Sequence, residues 1–354
     1  MSEASHTVDP SFQLLVQQLH QAEGPQLLVA DENLRAAPLN QLPTETTSLI
    51  TNRYDLYLQA KLLGFNCYYN DFDFSSFPDN SFNQILYRVS KEKPVTHHII
   101  NDTRRLIPNG GTLILSGAKT DGIKTYTEKA ADYFGSHATA KKHGNIYCAT
   151  ISRLSSQEPP LDDKNYPQLR PCISSDHLQL YSKPGLFGWN KVDQGSEFLA
   201  EHLSDFFKCF DKAPEHLLDL GCGYGYLAIM AHRHTDAIIT ATDNNAAAIT
   251  ACSKNFSLVG INGAAIAADC AEGIDQEFDA IICNPPFHQG FSTDRSLTER
   301  FVASCHRHLK PGGMALFVVN RFVPLEGCAE NLFQISPFGE NKGFKLVLLK
   351  KPQK

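Results

Sequence analysis

The stretch Leu217-Leu218-Asp219-Leu220-Gly221-Cys222-Gly223-Tyr224-Gly225 reads as a short buried strand, Leu217–Leu220, running into a glycine-rich turn. Tyr226–His234 carries the apolar spacing of a helix, so the whole is a strand–turn–helix unit. Glycines at such a turn let a ligand approach the backbone closely. In the dinucleotide fingerprint G-x-G-x-x-G the third glycine would fall at position 226, which is Tyr226. The spacing here is G-x-G-x-G with an acid two residues ahead. A carboxylate at Asp219 would repel a pyrophosphate but suits a ligand bearing an ammonium and a sulfonium. S-adenosylmethionine therefore fits better than NAD.

Further along, strands and helices alternate. Ala237–Thr242, Ala264–Ala268, Asp279–Cys283, Met314–Val319 and Phe344–Leu349 read as strands, with helices over 244–258 and 296–309 between them. This alternation predicts an α/β, mostly parallel, doubly wound sheet. Asp243, with Asn244 beside it, ends the second strand 20 residues after Gly223, where an acid accepts from ribose hydroxyls. Asp269 closes the third strand, in reach of an adenine amino group; as a plain helix cap it would need no ligand. Upstream, Val192-Asp193-Gln194-Gly195-Ser196 precedes a helix, and Gly195 is a candidate for lining the methionine end of the cofactor or for a simple capping turn.

Asn284-Pro285-Pro286-Phe287 ends the apolar run Ala280–Cys283. An Asn side chain offers both an acceptor and a donor. The two prolines stiffen the backbone and leave carbonyls free to accept. A planar substrate with an exocyclic NH2 fits this set: Asn284 Oδ1 and the Pro285 carbonyl take its hydrogens, and Phe287 stacks on its ring. Asn284, Pro285 and Phe287 are the candidate catalytic residues.

The first half repeats the pattern more weakly. Leu27–Glu32 stands for Leu217–Cys222, Phe82–Leu86 for Phe278–Ile282, and Arg105–Gly111 for His308–Gly313, at offsets of 190, 196 and 203 residues. A slow drift of this kind is what loop insertions leave in a duplicated domain. The first copy has no glycine triplet, and Arg88-Val89-Ser90-Lys91 stands in place of Asn-Pro-Pro-Phe. It reads as a fold kept without the chemistry. The expected organisation is a degenerate domain over 1–154, a polar, proline-bearing linker over 155–171, and a catalytic domain over 172–354.

The net charge of −6 argues against whole-surface attraction to nucleic acid, but residues 84–145 carry ten basic against five acidic side chains. That surplus permits a basic face on an acidic protein. The ten cysteines include no CxxC pair, which predicts free thiols and no metal. The opening MSEASHTVD is too polar for a secretory signal, and no apolar run is long enough for a bilayer. A cytoplasmic chain without membrane partners is expected.

Taken together, these motifs resemble the class I methyltransferases, and within them the bacterial ribosomal RNA guanine-N2 methyltransferases. The likeness is to the small-subunit methyltransferase C type, with the large-subunit methyltransferase G type a near relative. The resemblance rests on Lys183-Pro184-Gly185-Leu186-Phe187, Val192–Ser196, Leu218–Gly223 and Asn284-Pro285-Pro286-Phe287-His288-Gln289. The residues around Trp189 depart from the family pattern. The resemblance implies two tandem Rossmann-like domains, the first inactive and touching RNA, and the second binding S-adenosylmethionine and the target base. It implies Asp219, Gly221, Gly223, Gly225, Asp243, Asn244, Asp269 and Gly195 at the cofactor. It also implies a guanine in ribosomal RNA, within the 30S subunit or an assembly intermediate, as the methyl acceptor. Large-subunit rRNA, a protein glutamine or a DNA adenine are alternative acceptors, and a non-enzymatic ribosome assembly factor is the alternative to catalysis.

Overall fold

Each half of the chain is built on a seven-stranded sheet, and the two sheets share one strand order. The structure, a computed structural model, describes residues 9–175, 178–286 and 295–353, and its contacts divide the chain into units 1–168 and 169–354. The first unit contains α1 (Pro10–Gln21), β1 (Gln26–Ala30), β2 (Thr47–Thr51), α2 (Tyr54–Leu62), β3 (Asn66–Tyr69), β4 (Gln84–Arg88), α3 (Lys93–Leu106), β5 (Thr112–Ala118), α4 (Ile123–Phe134), β6 (Lys141–His143) and β7 (Ile146–Ser152). Its sheet runs β3-β2-β1-β4-β5-β7-β6, parallel except where β7 pairs with β5 and β6.

The second unit opens with a separate hairpin, β8 (Arg170–Ser175) and β9 (Leu178–Ser182). Then come α5 (Gln194–Glu201), α6 (Leu203–Lys208), β10 (His216–Leu220), α7 (Tyr226–His232), β11 (Ile238–Asp243), α8 (Ala246–Val259), β12 (Gly263–Ala267), β13 (Phe278–Cys283), α9 (Arg295–His308), β14 (Leu309–Asn320), α10 (Leu325–Ala329), β15 (Gln334–Glu340) and β16 (Phe344–Lys350). The sheet order is β12-β11-β10-β13-β14-β16-β15, again parallel until the last antiparallel pairs.

Strand parity explains why both faces of these sheets are covered. Leu217 and Ile282 enter one apolar layer with Ile239 and Leu316, whereas their neighbours Leu218 and Ile281 enter the other with Ala315 and Phe317. A strand apolar at every position can only sit between two layers of helix. The first unit does the same with Leu27 and Val29 against Leu28 and Ala30. Local signals set the helix ends: the Asn245 side chain accepts from Ala247 N at the start of α8, and Gly260 (φ +78°) closes it.

Two expectations differ from the structure. Most of 155–171 is not a free linker: Asn101 bonds both the N–H and the carbonyl of Leu161, and the buried Tyr166 donates to Asp71 Oδ1 at 2.6 Å. Its polar, proline-bearing composition hides a segment held by side chains of α3 and its neighbours. β15 was also unforeseen, because Pro337 interrupts its pattern. It is an edge strand with a register shift at that proline, where a missing N–H is tolerated. Among the described residues, no helix is long and apolar enough to cross a membrane.

Candidate active site

The strand order reverses between β10 and β13, and ligands of open α/β sheets bind beyond the carboxyl ends of strands at such a point. Gly221, Gly223 and Gly225 lie there, all with φ between +53° and +88°. Their roles differ. A Cβ on Gly225 would come within 2.8 Å of Cys252 Sγ, so this glycine lets the loop close on α8. A Cβ on Gly223 would meet nothing within 4 Å, so this glycine borders open space. Gly221 packs near the Phe301 ring.

Asp243 fastens the loop. Its Oδ2 accepts from Gly223 N at 3.0 Å and its Oδ1 from Asn245 N at 2.8 Å, while the Thr242 carbonyl accepts from Gly221 N and Cys222 N, each at 2.9 Å. Asn255, fully buried, ties the loop to the hairpin. It donates to the carbonyls of Tyr224 and Tyr181 and accepts from Tyr181 N, all within 2.9 Å.

Asp219 sits beneath the loop rather than on its surface. It is 0% exposed, and its Oδ2 accepts from Ala228 N at 3.0 Å in the first turn of α7. Its Oδ1 is buried without a partner among the described residues. Burial pushes its carboxyl up to about 7, with Asp243 adding to the rise and the Ala228 N–H opposing it. Asp269 has protein partners at the end of the third strand. Its Oδ2 pairs with Arg300 of α9 and its Oδ1 accepts from Asn244 Nδ2 at 3.2 Å, so the carboxylate expected at an adenine amino group already has a cation on it. Gly195 is buried in the turn that Asp193 caps, and a Cβ there would crowd Asp193 Oδ2 and the Phe344 ring at 3.1 Å.

Asn284 follows the last residue of β13, and its Nδ2 donates to Asp193 Oδ2 and Ser196 Oγ, each at 2.8 Å. A carboxylate only accepts, so the amide edge facing Asp193 is the NH2 edge. Asn284 Oδ1 is thereby turned away from Asp193, and no described residue donates to it. Asp193 is fixed in turn, because it caps α5 by accepting from Ser196 N at 2.9 Å. Pro285 is buried beside this amide, and Phe287 lies outside the described residues. Sequence reading missed the roles of Asp193, Asn255 and Arg300. The one available signal was the Asp193–Ser196 capping pattern, which says nothing of Asn284.

The first unit shows the contrast. Asp31 after β1 caps a short 3-10 turn, Glu32–Leu34, instead of opening a glycine loop. β4 ends on Arg88, which is held by Asp9 at 2.9 Å, Asp121 at 2.8 Å and the Val89 carbonyl at 2.6 Å. A buried arginine closed by two carboxylates leaves no acceptor pair like Asn284 and Pro285.

The residues of the second unit fit S-adenosylmethionine on two counts. Gly223 leaves room against the backbone, and the orphaned Asp219 oxygen leaves an unused polar acceptor below it. With the strand order and the amide beyond β13, they define an S-adenosylmethionine-dependent class I methyltransferase. Comparisons agree. Residues 177–348 match the model of the methyltransferase small domain family. The ribosomal RNA small subunit methyltransferase C of Pseudomonas paraeruginosa is 29% identical over 278 residues, 78% of this chain and 81% of that protein. Its namesake from Psychromonas ingrahamii is 27% identical over 84% of this chain and 89% of its own. A T. thermophilus 16S rRNA N2 methyltransferase, solved with AdoMet and guanosine, superposes with a TM-score of 0.82 over 97% of this chain and 92% of its own at 21% identity, a likeness of fold. The chain is thus similar to ribosomal RNA small subunit methyltransferase C proteins over more than three quarters of its length, and its second unit to the methyltransferase small domain.

Proposed function

We propose that the chain transfers a methyl group from S-adenosylmethionine to the exocyclic N2 of a guanine in small-subunit ribosomal RNA. The observation that carries this reading is the Asn284 amide, whose donor edge is taken by Asp193 and Ser196 and whose acceptor edge no described residue occupies. Relatives named for small-subunit rRNA methylation support the choice of RNA.

The guanine N2 lone pair is delocalised into the ring and is a poor nucleophile. Asn284 Oδ1 and the Pro285 carbonyl, each taking one N2 hydrogen, favour a pyramidal nitrogen with its lone pair directed out of the ring plane. When bound, the cofactor supplies an electrophilic sulfonium methyl. With the methyl carried from sulfur to N2, the surplus N2 proton would leave for water, so Asn284 and the Pro285 carbonyl would position the nitrogen without acting as a strong base. Positioning and electrostatics supply most of the rate. Asp243 and Asn244 at the end of β11, with the glycine loop, hold the cofactor, and Asp219 acts from beneath. Phe287 stacks on the base, which must be unpaired or flipped out. The first unit is the non-catalytic copy and contacts RNA in the cytoplasm, in the 30S subunit or a precursor of it.

The test is mass mapping of modified nucleosides in both rRNAs from a deletion strain. Loss of one N2-methylguanosine from the small-subunit rRNA is the expected result, and unchanged guanine-N2 methylation would overturn the substrate.

A further inference from the structure

Arg104 and Arg153 of the first unit are anchored without being neutralised. Arg104, on α3, donates through Nη2 to the Ser156 carbonyl at 2.6 Å and through Nη1 to that of Glu158 at 3.4 Å, and it lies 4.5 Å from the centroid of the Tyr133 ring. Arg153, just past β7, donates through Nη1 to Asn80 Oδ1 at 2.9 Å and to the Ile107 carbonyl. Among the described residues, neither has a carboxylate within 4.0 Å. Arg88 and Arg105 differ, since the first meets Asp9 and Asp121 and the second Asp79 at 2.9 Å.

Two hollows of about 320 and 530 Å³ share Asn80, Arg104 and Arg153, so they adjoin as one groove at this pair; the one carboxylate lining it, Asp79, is paired with Arg105. Carbonyls and an aromatic face fix the guanidinium planes but do not cancel their charge. Arg153 keeps Nε and Nη2 without a described partner. Pre-oriented, unpaired guanidinium forks suit phosphate oxygens. On a chain of net charge −6, such a pair is no general surface property. Two adjoining hollows that share both arginines give room for more than one phosphate, which suits a polymer better than a lone anion.

We propose that this groove binds the phosphodiester backbone of the RNA substrate, with Arg104 and Arg153 each on a phosphate. The polymer's identity rests on the rRNA reading above. The test is fluorescence anisotropy of the full-length protein with a labelled single-stranded fragment of small-subunit rRNA, titrated at several salt concentrations. Arg104→Gln with Arg153→Gln, which retains donors for the carbonyls, is expected to weaken binding about tenfold and to lower the log–log salt slope by roughly 1.4. The Arg104→Lys, Arg153→Lys pair should restore the slope, and S-adenosylmethionine binding by calorimetry should not change in either variant. Wild-type RNA affinity and slope in the Gln pair would overturn the proposal, as would a slope that the Lys pair fails to restore. A slope change without guanine methylation on the same RNA would support the groove while overturning the reaction assigned to the second unit.

Discussion

Asp193 Oδ2 lies 2.8 Å from Asn284 Nδ2, joining residues 91 positions apart and setting which edge of the Asn284 amide faces the substrate. Without that carboxylate the amide would turn between two orientations, and only one presents an acceptor to an amino group. Asp193 is therefore a positioning residue for Asn284.

Asp193→Ser should separate this role from helix capping. Serine caps a helix nearly as well as aspartate, so the melting temperature should stay near wild type, whereas Asp193→Ala should lose about 1 kcal/mol. Turnover should fall by roughly tenfold to a hundredfold in both, with cofactor affinity little changed. Wild-type turnover in Asp193→Ser would rule the positioning role out.

The glycine loop allows a paired comparison. Gly225→Ala drives a methyl into Cys252 and should destabilise the fold by about 1–3 kcal/mol. Gly223→Ala meets no protein atom and should cost the fold only about 1 kcal/mol for its left-handed backbone, yet lose most affinity for S-adenosylmethionine. Thermal melts and calorimetry on the two variants measure both quantities.

Asp243 clamps Gly223 N and Asn245 N across the end of β11. Asp243→Ala should free the loop and leave both N–H groups to water, weakening cofactor binding by about tenfold to a hundredfold. Asp269→Ala, whose carboxylate is already occupied by Arg300 and Asn244, should weaken it less. The reverse ranking in a binding titration would contradict the placement of these two acids.

Asp219 should imprint a pH dependence on stability. Burial raises its carboxyl from the ordinary 3.8 to about 7, so between these values the folded state holds a proton that the unfolded state has released. Its contribution is fully present below about pH 4 and is lost as pH rises towards 7. Asp219→Asn mimics the protonated form. It should match wild type near pH 4 and exceed it by roughly 2–4 kcal/mol at pH 8 in denaturant melts without cofactor. An equal difference at both pH values would show that burial does not set this carboxyl.

Much of the second unit was legible because its strands are apolar throughout and its turns carry Gly and Pro. β10, β11 and β13 and the helices after them fall within a few residues of expectation. What sequence could not give is which polar side chain meets which. Asp193 and Asn284 are joined only by the fold, as are Asn255 and Tyr224, or Asp269 and Arg300. Asp219 looked like a ligand contact because its motif places it two residues before a glycine. The side chain of a strand residue alternates in direction, and this one points under the loop. The segment after Leu154 read as linker because its hydrogen-bond partners, Asn101 and Arg104, lie far upstream.

The most direct test of the account is methyl transfer by purified wild type and Asn284→Ala, with labelled S-adenosylmethionine and small-subunit rRNA, followed by nucleoside mass spectrometry. Wild type should yield N2-methylguanosine. Asn284→Ala should lose about a hundredfold or more in turnover while binding cofactor normally. A different methylated nucleoside from wild type, or N2-methylguanosine formed at the wild-type rate by Asn284→Ala, would contradict the account.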